Sequence, residues 1–270
     1  MLGSSRTSFA EARDELLARV ETTGFEKVGG ELLAVSTVLA AYSSLRWGMA
    51  DTGRSTDERV ELARTVFADR VSGVTVDIVA EAARRRWTTA RDLVDAVETL
   101  GVEATMIVAE REGRIDAVED ELFRIDRLVV GDPALRQALS DSAVPDQAKA
   151  ELLDDLVAGK VAAETAALVR HVVTNPRGRR LERALKELME ASARRRERVF
   201  ATVRVAAEIT DAQRQRLADT LTRVYGRAVD LQVEVDPNVL GGVVVTVGDE
   251  IIDGSVAKKL EQIRRLMGVN

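Results

Sequence analysis

Near the end of the chain, Val229, Leu231, Val233 and Val235 are apolar while Asp230, Gln232 and Glu234 between them are polar. A period of two predicts a strand with one face in a core and the other in water. The same alternation at Val199, Ala201, Val203 and Val205 predicts an earlier strand, and Gly242 to Val247 and Ile251-Ile252 predict two more. The reading makes the strands of Val229 and Gly242 a pair, separated by the break at Asp236-Pro237-Asn238. Thr210-Asp211-Ala212-Gln213 has the spacing of a capping box and opens a helix that Gly226 ends. Ser255 is the expected N-cap of a last helix, whose stripe is Val256, Leu260, Ile263 and Met267.

Upstream the period changes to that of helices. Val118, Leu122, Ile125 and Val129 form a stripe from Asp116 to Val130. Gly131-Asp132-Pro133 stops that helix, and Pro133 suits the first turn of the next. Asp146 to Val157 and Ala162 to Val173 are further periodic segments. Asn175-Pro176-Arg177-Gly178 breaks the chain before a helix from about Arg179 to Arg198. Short connections between such helices imply antiparallel bundles.

Sliding the chain against itself by ninety positions exposes an internal duplication. Val28, Glu31 and Leu32 fall on Val118, Glu121 and Leu122. Leu45-Arg46 falls on Leu135-Arg136, and Asp51 on Asp141. Glu61-Leu62, Ala68, Val71, Thr75 and Val79 fall on Glu151-Leu152, Ala158, Val161, Thr165 and Val169. After a two-residue gap, Leu93, Ala96, Val97 and Leu100 align with Leu181, Ala184, Leu185 and Leu188. Each copy therefore reads as a small helical bundle.

Composition narrows the function. With 46% hydrophobic and 31% charged residues, the 270-residue chain is ordinary for a globular protein long enough for two or three cores. It has no cysteine, which fits a reducing compartment and removes disulfides and thiolate metal sites. Its one histidine, His171, sits in an apolar helical pattern and reads as a packed or surface residue. Ser-His and Cys-His nucleophile pairs and transition-metal sites are therefore excluded. Gly159-Lys160 lacks the upstream glycine of a phosphate loop. Neither a catalytic site, a cofactor site nor a metal site is expected. No leader-like or membrane-spanning apolar run is found either. The arginine-rich runs Arg84-Arg85-Arg86 and Arg177 to Arg198 raise nucleic-acid binding as an alternative. Interleaved acids, a net charge of −6 and the scarcity of aromatics favour solvated helix faces with i, i+4 pairs.

The stretch from Val235 to Val245 contains Asp236, Pro237, Leu240, Gly241 and Gly242. It continues through Gly248, Asp253, Gly254 and Ser255 to Leu260, and the whole resembles the C-terminal signature of the delta subunit of F-type ATP synthases. The mitochondrial counterpart of that family is the oligomycin-sensitivity-conferral protein. The resemblance implies a mainly α protein with a small α/β C-terminal domain. The expected order is a first, extra bundle at 1–103, a second bundle at 104–198 and a β-α-β-β-α domain at 199–270. An ordinary delta subunit has one bundle, so this chain resembles a long form. The resemblance also implies a non-catalytic stator subunit on the cytoplasmic face of a bacterial plasma membrane. It would hold the alpha-subunit N-termini through a bundle groove and the b subunits through the last domain. By chain order the second copy takes the alpha helix, in a groove near Leu122, Ile125, Leu168 and Val172.

Overall fold

A computed structural model describes residues 3–196, 199–225, 229–236, 239, 241–247 and 250–253. The chain divides into two compact units, Met1–Arg195 and Arg196–Asn270.

The first unit is helical throughout its regular elements: α1 (Ser4–Ala18), α2 (Phe25–Ala41), α3 (Ser43–Ala50), α4 (Thr56–Phe67), α5 (Gly73–Arg84), α6 (Ala90–Arg111), α7 (Ile115–Gly131), α8 (Pro133–Ser140), α9 (Asp146–Val157), α10 (Ala163–Thr174) and α11 (Leu181–Arg196), the last ending at the unit boundary. Helices α2 to α5 recur ninety residues later as α7 to α10, with the same lengths and bounds. The caps are those the residues favour. Asp132 accepts from the amides of Ala134 and Leu135 with Pro133 in the first turn, and Ser55 and Glu58 close a capping box on α4.

Identities shared by the two copies carry the same contacts. Thr75 Oγ1 donates to Glu31 at 2.5 Å and Thr165 Oγ1 to Glu121 at 2.6 Å. The same two carboxylates accept from the backbone amides of Ser72 at 3.0 Å and Ala162 at 2.9 Å. Each glutamate thus pins the start of a helix packed against its own, satisfying amides that would otherwise lack partners.

Two apolar clusters fill the unit. One gathers residues from Ala12 to Ile107, including Phe25, Leu32, Phe67 and Leu93; the other is built mainly from Met106 to Leu188, including Leu122, Ile125, Leu168 and Leu185. Helix α6 belongs to both, giving Leu93, Val97, Leu100 and Ile107 to the first and Met106 and Ala109 to the second. The boundary expected between residues 103 and 104 therefore falls inside an unbroken helix. Gly101 does not interrupt it, because the glycine is where α6 presses on α2. A Cβ there would lie 3.0 Å from the backbone nitrogen of Leu33. Gly29 makes the reciprocal approach, its notional Cβ 2.9 Å from the amide nitrogen of Thr105. Small residues at a helix crossing let two backbones approach more closely than side chains allow.

The second unit contains β1 (Val199–Val205), α12 (Asp211–Tyr225), β2 (Val229–Val235), β3 (Val243–Val247) and β4 (Glu250–Asp253). The expected capping box is present: the Thr210 amide donates to Gln213 Oε1 at 2.8 Å, and the Gln213 amide to Thr210 Oγ1 at 3.3 Å. The sheet order is β2-β1-β3-β4, with β1–β2 parallel and the other pairs antiparallel. This corrects the expected pairing of the strands at Val229 and Gly242. They are not neighbours, because β1 lies between them. Strand β1 is paired on both edges, and its Ala201, Val203 and Val205 are buried. The α12 crossover supplies the length that a parallel β1–β2 pair needs.

Candidate partner-binding surfaces

No enzyme-like constellation emerges in the described residues, and no group of three or more His, Asp or Glu side chains there could hold a metal ion. No single helix among them is long and apolar enough to cross a membrane. What the first unit does present is a line of carboxylates along α6 that binds other segments to it.

Glu98 is at the centre. It is buried on α6 and meets His171 Nε2 at 3.0 Å, Arg177 at 2.5 Å and Arg179 at 2.6 Å. Burial alone would raise its pKa. The hydrogen bond from His171 and the charges of Arg179 and His171 outweigh that, and the carboxyl stays below its ordinary range. Arg177 also pairs with Asp95. Further along α6, Glu103 accepts from Arg13 of α1 at 2.8 Å and lies 3.8 Å from Arg195 of α11, which also pairs with Glu110. One helix therefore fastens α1, α10, α11 and the 175–180 turn.

These pairs revise the reading of the arginine runs. Arg183 meets Glu187 at 3.0 Å as the expected i, i+4 solvent-side pair. Arg177, Arg179 and Arg195 instead turn inward to α6 carboxylates eighty or so positions away in sequence, distances that helical periodicity cannot register. In the other run, Arg84 pairs with Glu81 at 2.9 Å and Arg85 with Glu11 at 2.9 Å. Of the packed and surface placements expected for His171, the packed one holds, with a carboxylate partner that the local sequence could not reveal.

The four residues expected around the alpha-binding groove come together, but in the second cluster. Leu122, Ile125, Leu168 and Val172 are each exposed by 3% or less. An apolar helical stripe marks the buried face and does not distinguish a closed core from an open groove. Val172 borders a cavity of about 470 Å³, together with Leu139, Val173 and Leu181 and a polar rim that includes Arg136 and Arg180. On α7 the apolar side chains left open are Phe123, Leu128 and Val130. At the α2–α3 corner, where the helices meet at 105°, Tyr42 and Trp47 are open.

In the C-terminal signature, the Asp236 amide donates to Val205 O at 2.8 Å and its carbonyl accepts from the Val239 amide at 3.0 Å. Gly241 and Gly242 hold φ of 105° and 82°, a region that side chains with a Cβ rarely enter. The double glycine is thus needed for backbone conformation. Asp253 pairs with Val244 at the end of β4. Pro237, Leu240, Gly248, Gly254, Ser255 and the expected terminal helix lie outside the described residues.

Comparison with known proteins gives a consistent result. The family described as "ATP synthase delta (OSCP) subunit" matches residues 102–267. "ATP synthase subunit delta" of Streptomyces avermitilis is 43% identical over 267 residues, spanning 98% of this chain and 98% of the relative. The subunit so named from Kineococcus radiotolerans is 42% identical, covering 97% of this chain and 96% of its own. That from Acidothermus cellulolyticus is 42% identical, covering 98% of each.

Proposed function

The chain belongs to the ATP synthase delta (OSCP) subunit family, and on that premise we propose that it is a non-catalytic peripheral-stalk subunit of a proton-translocating F-type ATP synthase. It links the N-termini of alpha subunits in the catalytic head to the b subunits, and meets the membrane only through the complex, at the cytoplasmic face. The observation that carries this reading is the match over nearly the full length of this chain and of its relatives. The task needs complementary apolar surfaces and a rigid body, and no reacting groups.

In this reading the helical unit is two tandem bundles that share α6, followed by a small α/β domain. Its described elements run β-α-β-β-β, one strand more than the expected β-α-β-β, before the expected terminal helix. The family match begins at residue 102, within α6, so the second copy and the last domain are the family's common part. The second bundle then takes an amphipathic alpha helix by helix-in-groove docking. The cavity beside Val172 would seat an apolar anchor of that helix, with Leu122, Ile125 and Leu168 as the packed floor beneath. Such docking buries on the order of 800 Å² per partner, enough for specific binding. The first bundle is an added clamp, on a second alpha N-terminus or on the stalk.

The test is titration of a labelled alpha N-terminal peptide into the full chain. Ser140→Trp, at the rim of the cavity, should weaken peptide binding and leave binding of a b-subunit segment intact. Unchanged affinity in that variant, with loss in Trp47→Ala, would move the alpha site to the first bundle.

A further inference from the structure

A second cavity, of about 240 Å³, is lined by Ala40, Arg46, Arg91, Val94 and Arg177. Its walls come from the α2–α3 corner, the first turns of α6 and the turn before α11, so both sequence copies contribute to it. From these residues we propose that it is a binding site for a phosphate-type oxyanion.

Charge balance is the first argument. Arg177 and Arg179 are matched by Asp95 and Glu98. Among the described residues, Arg46 and Arg91 form no ion pair. Arg46 Nη1 is spent on the carbonyls of Leu39 at 3.2 Å and Ala40 at 2.7 Å, and Arg91 Nη2 donates to the carbonyl of Arg177 at 3.2 Å. Both guanidiniums are anchored at one nitrogen, keep other N–H donors uncommitted, and together leave two positive charges at the cavity. A dianion with several acceptor oxygens answers both deficits, since guanidinium forks match phosphate geometry.

The backbone and size agree. Arg177 has φ of 50°, the only positive value at a non-glycine position among the described residues. Such strained conformations gather at binding sites, where surrounding structure holds them in place. The cavity is smaller than the roughly 300–1,000 Å³ of pockets for drug-sized ligands, which suits a single oxyanion group. The crowding of charge is also felt: burial first, then Arg179, Arg91 and Arg46, push the pKa of Arg177 down to about 10. An anion between these groups would relieve that repulsion.

The experiment is isothermal titration of the full chain with inorganic phosphate, and separately with glycerol 3-phosphate, at constant ionic strength set with chloride. Saturable binding of either is expected; the ester alone would mean that the phosphate group arrives on a larger molecule. Arg91 is exposed at the start of α6, so Arg91→Gln should fold as the parent does by circular dichroism. It should weaken binding about tenfold or more, the loss of one charge-assisted donor. Arg91→Lys should recover part of it, and Arg124→Gln, on the exposed side of α7 and outside this cavity, should leave phosphate binding unchanged. No saturation with either probe, or equal affinity in the parent and Arg91→Gln, would overturn the proposal.

Discussion

Gly29 and Gly30 are adjacent on α2, and the same substitution should have opposite effects at the two positions. A Cβ at Gly29 would lie 2.9 Å from the amide nitrogen and 3.1 Å from the Cα of Thr105, both backbone atoms of α6. The Thr105 side chain could rotate aside; the backbone cannot. A Cβ at Gly30 meets nothing within 4 Å. Replacing glycine by alanine inside a helix gains up to about 1 kcal/mol from helix propensity alone. At Gly30 that gain stands unopposed. At Gly29 it is set against overpacking, which costs about 1–3 kcal/mol in cores and more where backbone must move. Gly29→Ala should therefore destabilise by about 1–2 kcal/mol, and Gly30→Ala should stabilise by up to about 1 kcal/mol. The assay is urea unfolding of the full chain followed by helical circular dichroism, which reports chiefly on the first unit. The quantity to compare is the shift in midpoint at unchanged slope. If Gly29→Ala is as stable as Gly30→Ala, α2 and α6 do not approach backbone to backbone, and the account of α6 as the joining helix fails with it.

Three further outcomes are expected. Glu98→Gln removes the charge that holds His171, Arg177 and Arg179, and breaking such a buried network should cost about 3–5 kcal/mol in urea unfolding at neutral pH. Because Glu98 has a folded pKa below the ordinary 4.5, its contribution is present above that value and fades as pH falls through the lower folded pKa; a parent and variant that lose stability in parallel below pH 4.5 would exclude Glu98 as a source. Thr75→Val and Thr165→Val each leave a glutamate one donor short and should cost about 1–3 kcal/mol, comparably in the two copies; a large effect in one alone would mean that the repeated contact is not equivalent. Gly242→Val forces a β-branched residue to φ near 82° and should cost about 1–3 kcal/mol in the last unit. It should weaken binding of b segments while helical content persists; undiminished binding would count against it.

Much of the helical unit was legible because the duplication preserves positions with a structural job. Glu31, Thr75 and their counterparts Glu121 and Thr165 align because they make the same bond. What escaped was non-local. Gly101 and Gly29 mark where α6 and α2 cross closely, which no local pattern in the sequence assigns to a glycine. The wide burial of α6, where 13 of 22 residues are buried, hides which side faces which cluster, since periodicity identifies one stripe and α6 has two. Strand order was likewise beyond the alternating pattern, which marks a buried face without naming the neighbour. Val172 was placed correctly on α10, yet only the fold shows a cavity at its side.

The sharing of α6 has a mechanical consequence. Two bodies joined by a loop have a joint between them, and a pull on one is partly absorbed as rotation before the other feels it. Here the connection is 22 residues of continuous helix, about 33 Å at 1.5 Å per residue, gripped along its length by α2 and by carboxylate pairs. A load applied to the first apolar cluster would pass axially into the second without a hinge to take up slack. In the stalk role proposed above, whatever elastic give the chain offers would lie outside this rod.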